Sequence, residues 1–243
     1  MIVEPASTRA EERLRRAFEM HRLGMSLRAS GRVGLPPEVV FGPLLHALLR
    51  AWRPLEDDWD TARWTDGVID ALLSARPLFA RLAGLRDDEV SPFHHQRGRR
   101  ERSREIGFDF VWGTWPAEAV LDPSIAPSRP WEILLAAESE WGALRSRREN
   151  LRRVLFDLRK LLDVRARYKL LVYGAHDRAR GVVDIDEHLR ALIASSAHAR
   201  DDASRFLLVS VPWDTGLAKV RAWTLRCRGG EYVRVDLPVP APR

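Results

Sequence analysis

Two glutamates stand one residue apart where an apolar run ends, in the stretch WEILLAAESEWG that spans residues 131–142. Alternate side chains of a strand share a face, so Glu138 and Glu140 would be neighbours roughly 6–7 Å apart along a strand. The residues before them are apolar on both faces, which predicts a central, buried strand. Two carboxylates at the end of such a strand repel each other unless a cation or water reaches them.

A third carboxylate lies in the earlier segment GFDFVWG, where Asp109 is flanked by Phe108 and Phe110. In a strand, both phenylalanines would point into one apolar layer and Asp109 to the opposite side. If this segment pairs with the strand that carries Glu138, the two carboxylates meet. Oxygen ligands of this kind suit Mg²⁺ or Mn²⁺, which activate water and stabilise charge on a phosphate under attack. The alternative is a solvated rim at the end of the strand.

The surrounding pattern predicts the elements that would position these carboxylates. In the first third of the chain we expect helices over 8–29, 38–53 and 60–84. In the rest we expect helices over 143–163 and 185–199, and strands over 107–112, 131–140, 168–174, 206–213, 219–226 and 231–236. This order predicts an α/β (α+β) fold, in which a helical N-terminal part (1–90) precedes a core (91–243) with a central mixed sheet flanked by helices. The helix over 143–163 would be a crossover that makes its two flanking strands parallel.

The order of these features resembles that of the PD-(D/E)XK nuclease superfamily, over roughly residues 105–175. The shared features are a strand with an acid, a loop, a core strand that ends in acid-x-acid or acid-x-lysine, an amphipathic helix and a further strand. The resemblance implies a restriction-endonuclease-like core and a nuclease that uses Mg²⁺ or Mn²⁺ in prokaryotic defence or DNA processing. It makes Asp109 and Glu138 the metal-binding acids, and it places Glu140 where the family usually has lysine.

Some members of the superfamily carry the basic catalytic residue on the following helix, where this chain has Lys160. Only two other lysines, Lys169 and Lys219, occur in this arginine-rich chain, which favours a need for a compact ammonium at this position. The helical wheel indicates the opposite, because Lys160 lies almost opposite the apolar stripe of the helix at about 100° per residue. Arg148 lies nearer that stripe and closer in sequence to Glu140, so it is the alternative.

The chain is basic, with 40 Lys and Arg against 34 Asp and Glu and a formal net charge of +6 in 243 residues. A basic surface favours contact with phosphate polymers. Two arginine-rich segments flank the carboxylates in sequence, and they supply the nucleic-acid-binding candidates Arg97, Arg99, Arg100, Arg147 and Arg148. The expected partner is nucleic acid, with DNA ahead of RNA, and an oligomer or a protein partner stays open.

The remaining composition excludes several classes of protein. The single cysteine, Cys227, allows no disulfide within the chain, which fits a reducing cytoplasm. We expect a cytoplasmic protein without membrane contact, because the sequence shows neither the apolar segment of a signal peptide nor the roughly 20 apolar residues of a membrane helix. The nucleotide-binding motifs GxGxxG and GxxxxGK[ST] and the serine-hydrolase motif GxSxG are absent.

Two other classes of function stay open beside the nuclease. One is a catalytically inactive nucleic-acid-binding or scaffold protein on the same fold. The other is a protein-interaction module that uses the helical N-terminal part. The response of the protein to divalent ions, together with metal-dependent cleavage of nucleic acid, separates the enzyme from the scaffold.

Overall fold

The computed structural model describes residues 37–55, 60–94, 108–114, 132–141, 147–175, 185–196, 205–212, 217–228 and 231–239. The predicted helix over 8–29 and the candidates Arg97, Arg99 and Arg100 lie outside these ranges. Within them, the helices are α1 (Pro37–Trp52), α2 (Thr61–Ser74), α3 (Arg76–Ala83), α4 (Arg147–Asp163) and α5 (Ile185–Ser195). The strands are β1 (Ser91–His94), β2 (Phe110–Gly113), β3 (Ile133–Glu140), β4 (Ala166–Ala175), β5 (Phe206–Pro212), β6 (Arg221–Arg228) and β7 (Glu231–Leu237).

The seven strands form one mixed sheet in the order in which they occur in the chain. The central strands β3, β4 and β5 run parallel, because α4 and α5 each carry the chain back before the next strand begins. On either side of them, β1 and β2 and then β6 and β7 are added by antiparallel pairing. The structure therefore confirms the predicted mixed sheet with flanking helices, the pairing of β2 with β3 and the parallel pairing of β3 with β4.

Helices cover both faces of this sheet. One hydrophobic cluster joins α1, α2 and α3 to sheet residues such as Leu170 and Val209, and this face is the α1–α3 side. A second cluster joins α4 and α5 to sheet residues such as Leu171 and Leu208, and this face is the α4–α5 side. Adjacent residues of β4 and β5 are thus buried on opposite faces, which explains why these strands are almost wholly apolar.

The helical N-terminal part is fixed to the end of β3 by a tryptophan cluster. Trp141 follows β3 and packs on the α1–α3 side, with its ring centroid 5.9 Å from that of Trp52 and 5.4 Å from that of Trp64. Its indole donates a hydrogen bond of 2.9 Å to the Thr65 hydroxyl on α2. These contacts hold the end of β3 in place from one face and leave the other face to α4.

The helix ends follow local sequence rules. The Asp60 side chain caps α2 by accepting a hydrogen bond of 2.9 Å from the amide of Ala62. The predicted helix over 60–84 is divided at Ala75, just before Pro77 in α3, and α3 ends at Gly84 with φ +69°. No helix in the described part of the chain is long and apolar enough to cross a membrane.

The first two strands of the sheet differ from the sequence prediction. The sequence predicts no strand at Ser91–His94, where the short edge strand β1 contains Pro92, a residue that edge strands tolerate but that weakens the strand pattern. The strand predicted over 107–112 begins only at Phe110. Phe108 packs on the α4–α5 side and Phe110 on the α1–α3 side, so the prediction that they share a layer is wrong. Asp109 precedes the strand.

Candidate functional site

A buried carboxylate at the end of β3 meets an ammonium from α4. Glu138 is 1% exposed and lies on the α4–α5 side of the sheet. The Nζ atom of Lys160 lies 2.5 Å from its Oε1 and 3.1 Å from Oδ1 of Asp157, one turn earlier on α4. The Lys160 side chain is 32% exposed, so solvent reaches this group from the helix side.

The helical wheel gave the wrong direction for Lys160. The helix also buries Asp157 and Leu161, whereas Leu151 and Leu155 are only half-buried, so its buried face is turned toward Lys160 relative to the stripe that the sequence indicated. The alternative basic residue, Arg148, is exposed on the first turn of α4, and the helix itself begins at Arg147. The geometry favours Lys160 as the basic residue beside Glu138, and its catalytic role stays a prediction.

Asp109 reaches the same region from β2. Phe110 stands opposite Ala137 in the antiparallel ladder, so the preceding residue, Asp109, comes beside the end of β3 that carries Glu138. Its Oδ2 accepts hydrogen bonds of 2.8 Å from the amide of Ser139 and 2.7 Å from its hydroxyl. The structure thus places Lys160, one of the two basic candidates, against Glu138. It holds the Asp109 carboxylate on Ser139, and the charge of Asp109 raises the pKa of Glu138.

Burial and mutual repulsion govern the charges of this cluster. Burial, then the negative charges of Asp109 and Asp157, raise the pKa of Glu138 to about 8 against the opposing effect of Lys160. Burial also raises the pKa of Asp157, with a further contribution from Asp109. For Lys160, burial lowers the pKa but is outweighed by the contacts with Glu138 and Asp157, so that the pKa rises. Two carboxylates, those of Glu138 and Asp157, share the one ammonium of Lys160, so this group holds more negative than positive charge when all three side chains are ionised.

Asp157 is a site residue that the sequence reading missed. It is 9% exposed and shares the ammonium of Lys160 with Glu138. One signal was available, because an acid three residues before a lysine lies on the same side of a helix as that lysine. An (i, i+3) pair of this kind is common on solvated helices, so the signal becomes informative only once the helix is packed against Glu138.

Glu140 lies two residues beyond Glu138, at the last position of β3. It is half-buried, and the alternation of the strand places it on the same face as Glu138. In the parallel ladder it stands beside Tyr173 of β4. Glu138, Asp157 and Lys160 form one polar group, the Lys160 group. Glu140 lies between this group and a second buried polar group.

That second group joins α5 to the last strands of the sheet. The Tyr173 hydroxyl donates a hydrogen bond of 2.5 Å to Oδ1 of Asp186 and accepts one of 3.2 Å from the indole of Trp223. Arg234 donates to Oδ2 of Asp186 at 2.6 Å. Burial, and then the charge of Asp186, raise the pKa of Tyr173 well above its usual value, so the phenol stays a neutral donor.

The fit of a divalent ion is partial. Asp109, Glu138 and Asp157 supply the hard oxygen donors that Mg²⁺ and Mn²⁺ prefer. Within the described ranges, however, no three His, Cys, Asp or Glu side chains are grouped closely enough to hold a metal ion. The Lys160 ammonium instead occupies the position between Glu138 and Asp157. Ion binding here would require the side chains to rearrange, and the chemistry of the donors supports it better than their present geometry does.

Comparisons of the chain with protein-family models, with curated proteins and with solved structures find no match. The resemblance to the PD-(D/E)XK superfamily therefore rests on the residues of this chain and their order. In chemical terms, the cluster offers a carboxyl group whose pKa lies close to neutrality and an adjacent ammonium. Such a pair is suited to proton transfer and to binding a phosphate beside a cation.

Proposed function

We propose that this chain is a metal-dependent phosphodiester hydrolase of the PD-(D/E)XK kind, which acts on nucleic acid, DNA in the first place, in the cytoplasm. Asp109 and Glu138 would hold Mg²⁺ or Mn²⁺, Glu140 would assist the metal or its water, and Lys160 would orient the attacking water. The observation that carries the proposal is the 2.5 Å contact between the Lys160 ammonium and the buried carboxylate of Glu138.

This contact supports the proposal because it joins parts of the pattern that are far apart in sequence. Lys160 of α4 contacts Glu138 at the end of β3, and Asp109, just before β2, binds the neighbouring Ser139 and adds its charge to the pKa of Glu138. The pKa of Glu138 rises to about 8, first because the carboxyl group is buried and then because of the charges of Asp109 and Asp157. Perturbed groups of this kind are characteristic of functional sites, where a bound cation or a reacting group relieves the repulsion.

An inactive nucleic-acid-binding or scaffold protein is the second candidate. It is favoured by the position of Lys160, whose ammonium already contacts both Glu138 and Asp157, where a metal ion would bind. It is also favoured by the lack of a ready group of three metal ligands among the described residues. The two candidates differ in their response to divalent ions and in whether they cleave nucleic acid.

The test compares Glu138→Gln with Glu132→Gln. Both substitutions remove a carboxylate at an end of β3, but Glu132 pairs with Arg167 at 2.7 Å, outside the cluster. Thermal unfolding is followed with EDTA and with Mg²⁺ or Mn²⁺ above pH 8, where metal ions compete least with the proton on Glu138. We expect the ions to raise the Tm of the wild type and of Glu132→Gln, because a ligand that binds only the folded state stabilises it. Glu138→Gln should lose most of this shift.

Cleavage of single-stranded, duplex and plasmid DNA and of RNA is measured with the same proteins. We expect metal-dependent cleavage by the wild type and by Glu132→Gln, and none by Glu138→Gln. A wild type that is stabilised by divalent ions but cleaves no substrate supports the scaffold instead. A wild type that does not respond to the ions at all removes the metal site and the hydrolase together.

A further inference from the structure

Phe156 of α4 exposes an aromatic ring at the outer edge of the Lys160 group. It is 64% exposed, whereas Val233, the other exposed large hydrophobic residue in the described part of the chain, is 39% exposed. The Nζ atom of Lys160 lies 5.9 Å from the centre of the Phe156 ring and 2.5 Å from Glu138. One ammonium therefore connects the exposed ring with the buried carboxylate.

Cationic side chains surround this ring on the helix surface. Residues three and four positions away lie beside it on α4, and these positions hold Arg152, Arg153, Arg159 and Lys160. Arg152 and Arg153 share the carboxylate of Glu149 at 2.9 and 3.3 Å. Both arginine side chains are more than half exposed, and such surface pairs are weak enough for a phosphate to compete with them.

An exposed ring among arginines matches the chemistry of one ligand class. Single-stranded nucleic acid offers unpaired bases that stack on aromatic side chains and phosphates that bind cations. The bases of a duplex are already stacked on one another, so a ring on a convex helix gains little from them. An acidic protein would use the arginines but would have no special need for the flat face of the ring.

We propose that the exposed face of α4 binds single-stranded nucleic acid, with one base stacked on Phe156 and the neighbouring phosphates on Arg152, Arg153 and Lys160. The inference rests on the proposed function, because it names the single-stranded form as the substrate of the same site. Stacking on Phe156 brings the phosphate of that nucleotide toward Lys160 and hence toward Glu138. Duplex ends, gaps or displaced strands would then be preferred over intact duplex.

The experiment measures binding without cleavage. Fluorescence anisotropy with labelled single strands of about 16 nucleotides, and with the matching duplex, is recorded in EDTA for the wild type, Phe156→Ala, Phe156→Trp and Val233→Ala. We expect Phe156→Ala to weaken single-strand binding roughly 5- to 150-fold, because base stacking on an aromatic side chain contributes about that much. Phe156→Trp should retain binding, and Val233→Ala, which shortens the other exposed hydrophobic residue, should not change it.

The results separate this inference from the hydrolase proposal. The inference is overturned if Phe156→Ala and the wild type bind single strands with equal affinity, or if the wild type binds no single strands. It is also overturned if Phe156→Ala weakens the binding of single strands and duplex equally. Cleavage by the wild type in Mg²⁺ or Mn²⁺ would still establish the hydrolase in any of these cases. Loss of single-strand binding in Phe156→Ala together with an inert wild type would retain the binding face and reject the hydrolase. Unfolding curves of the variants verify that each is folded.

Discussion

At the scale of single residues, Glu138 controls the charge of the candidate site. Its carboxyl group is fully buried, faces two other acids and touches one ammonium. Burial and repulsion prevail over the ammonium, so the pKa rises from 4.5 to about 8. At neutral pH the folded protein therefore keeps a proton on Glu138 that the unfolded chain would release.

This proton makes stability depend on pH in a definite direction. Between the unfolded pKa of 4.5 and the folded pKa of about 8, the native state binds more protons than the unfolded state. The free energy of unfolding contributed by Glu138 is therefore fully present below that window and is lost as the pH rises through it, by up to about 1.4 kcal/mol per pH unit. Burial raises the pKa of Asp157 too, so its contribution has the same sign.

Denaturant unfolding of the wild type and of Glu138→Gln measures this contribution, over a pH range that extends from below 4.5 to above 8, the limits of the window. The wild type should lose stability with rising pH more steeply than Glu138→Gln, which has no proton to release. Glu132→Gln, with its carboxylate outside the cluster, should keep the wild-type slope. Parallel curves for wild type and Glu138→Gln would show that Lys160 holds Glu138 ionised, and the raised pKa would be wrong.

Residue types and spacing were enough to single out Asp109 and Glu138, because acids stand out against an apolar background. Lys160 was favoured by the resemblance and by its rarity, against the helical spacing. Residue types and spacing were not enough to find Asp157, whose meaning depends on what packs against α4. They also misplaced Phe108, because a bend before β2 breaks the alternation that a strand pattern assumes. Local pattern identifies chemistry, but the direction in which a side chain points is set by tertiary packing.

At the scale of elements, α4 and α5 attach the two polar groups to the sheet. Helix α4 contributes Asp157 and Lys160 to the candidate site, and α5 contributes Asp186 to the Tyr173 group. Asp186 is 2% exposed and binds Arg234 of β7, so it links α5 to the far edge of the sheet. Its removal would leave the phenol of Tyr173 and the guanidinium of Arg234 without their shared acceptor.

We therefore expect Asp186→Ala to destabilise the fold by about 3–5 kcal/mol, the typical effect of removing one partner of a buried charge pair. Asp236→Ala is the matched control, because Asp236 also binds Arg234 at 2.7 Å but is 72% exposed. Its effect should stay below about 1 kcal/mol. Chemical denaturation measures both values. Equal effects of the two substitutions would contradict the structural role assigned to Asp186.

The elements were predicted with unequal success for physical reasons. Long periodic segments such as α4 and apolar runs such as β4 and β5 agree with the structure within a few residues, since their pattern is repeated many times. The edge strand β1 has only four residues and a proline, so it carries no comparable pattern. Asp186 lies in the predicted helix, but nothing in the sequence indicates that its carboxylate is shared by β4 and β7.

At the scale of the whole molecule, the sheet separates two surfaces of different character. The α1–α3 side contains the tryptophan cluster, whereas the α4–α5 side presents the cations of α4 next to Glu138. Helix α4 alone has six basic and three acidic residues, and the chain carries a net charge of +6. The net charge of the chain attracts phosphates to the surface in general. Because α4 lies beside the candidate site, its cations attract phosphates to Lys160 in particular.

Binding of nucleic acid should therefore weaken steeply with salt, because each phosphate that a cation neutralises releases condensed counterions. We expect the combined substitution Arg152→Gln and Arg153→Gln to lower the slope of log affinity against log salt by about 1.4 for single strands, at roughly 0.7 per lost contact. Arg86→Gln is the control, because Arg86 is at least as exposed as Arg152 and Arg153 but follows α3, on the other side of the sheet, and pairs with Asp88 at 3.2 Å. It should leave the slope unchanged.

Anisotropy titrations over a range of salt concentrations measure the slopes. If Arg86→Gln lowers the slope as much per residue as the α4 substitutions do, the attraction is a property of the net charge, and α4 is not the binding face. If binding does not depend on salt, phosphate contacts do not drive it, and α4 loses its role in recognition.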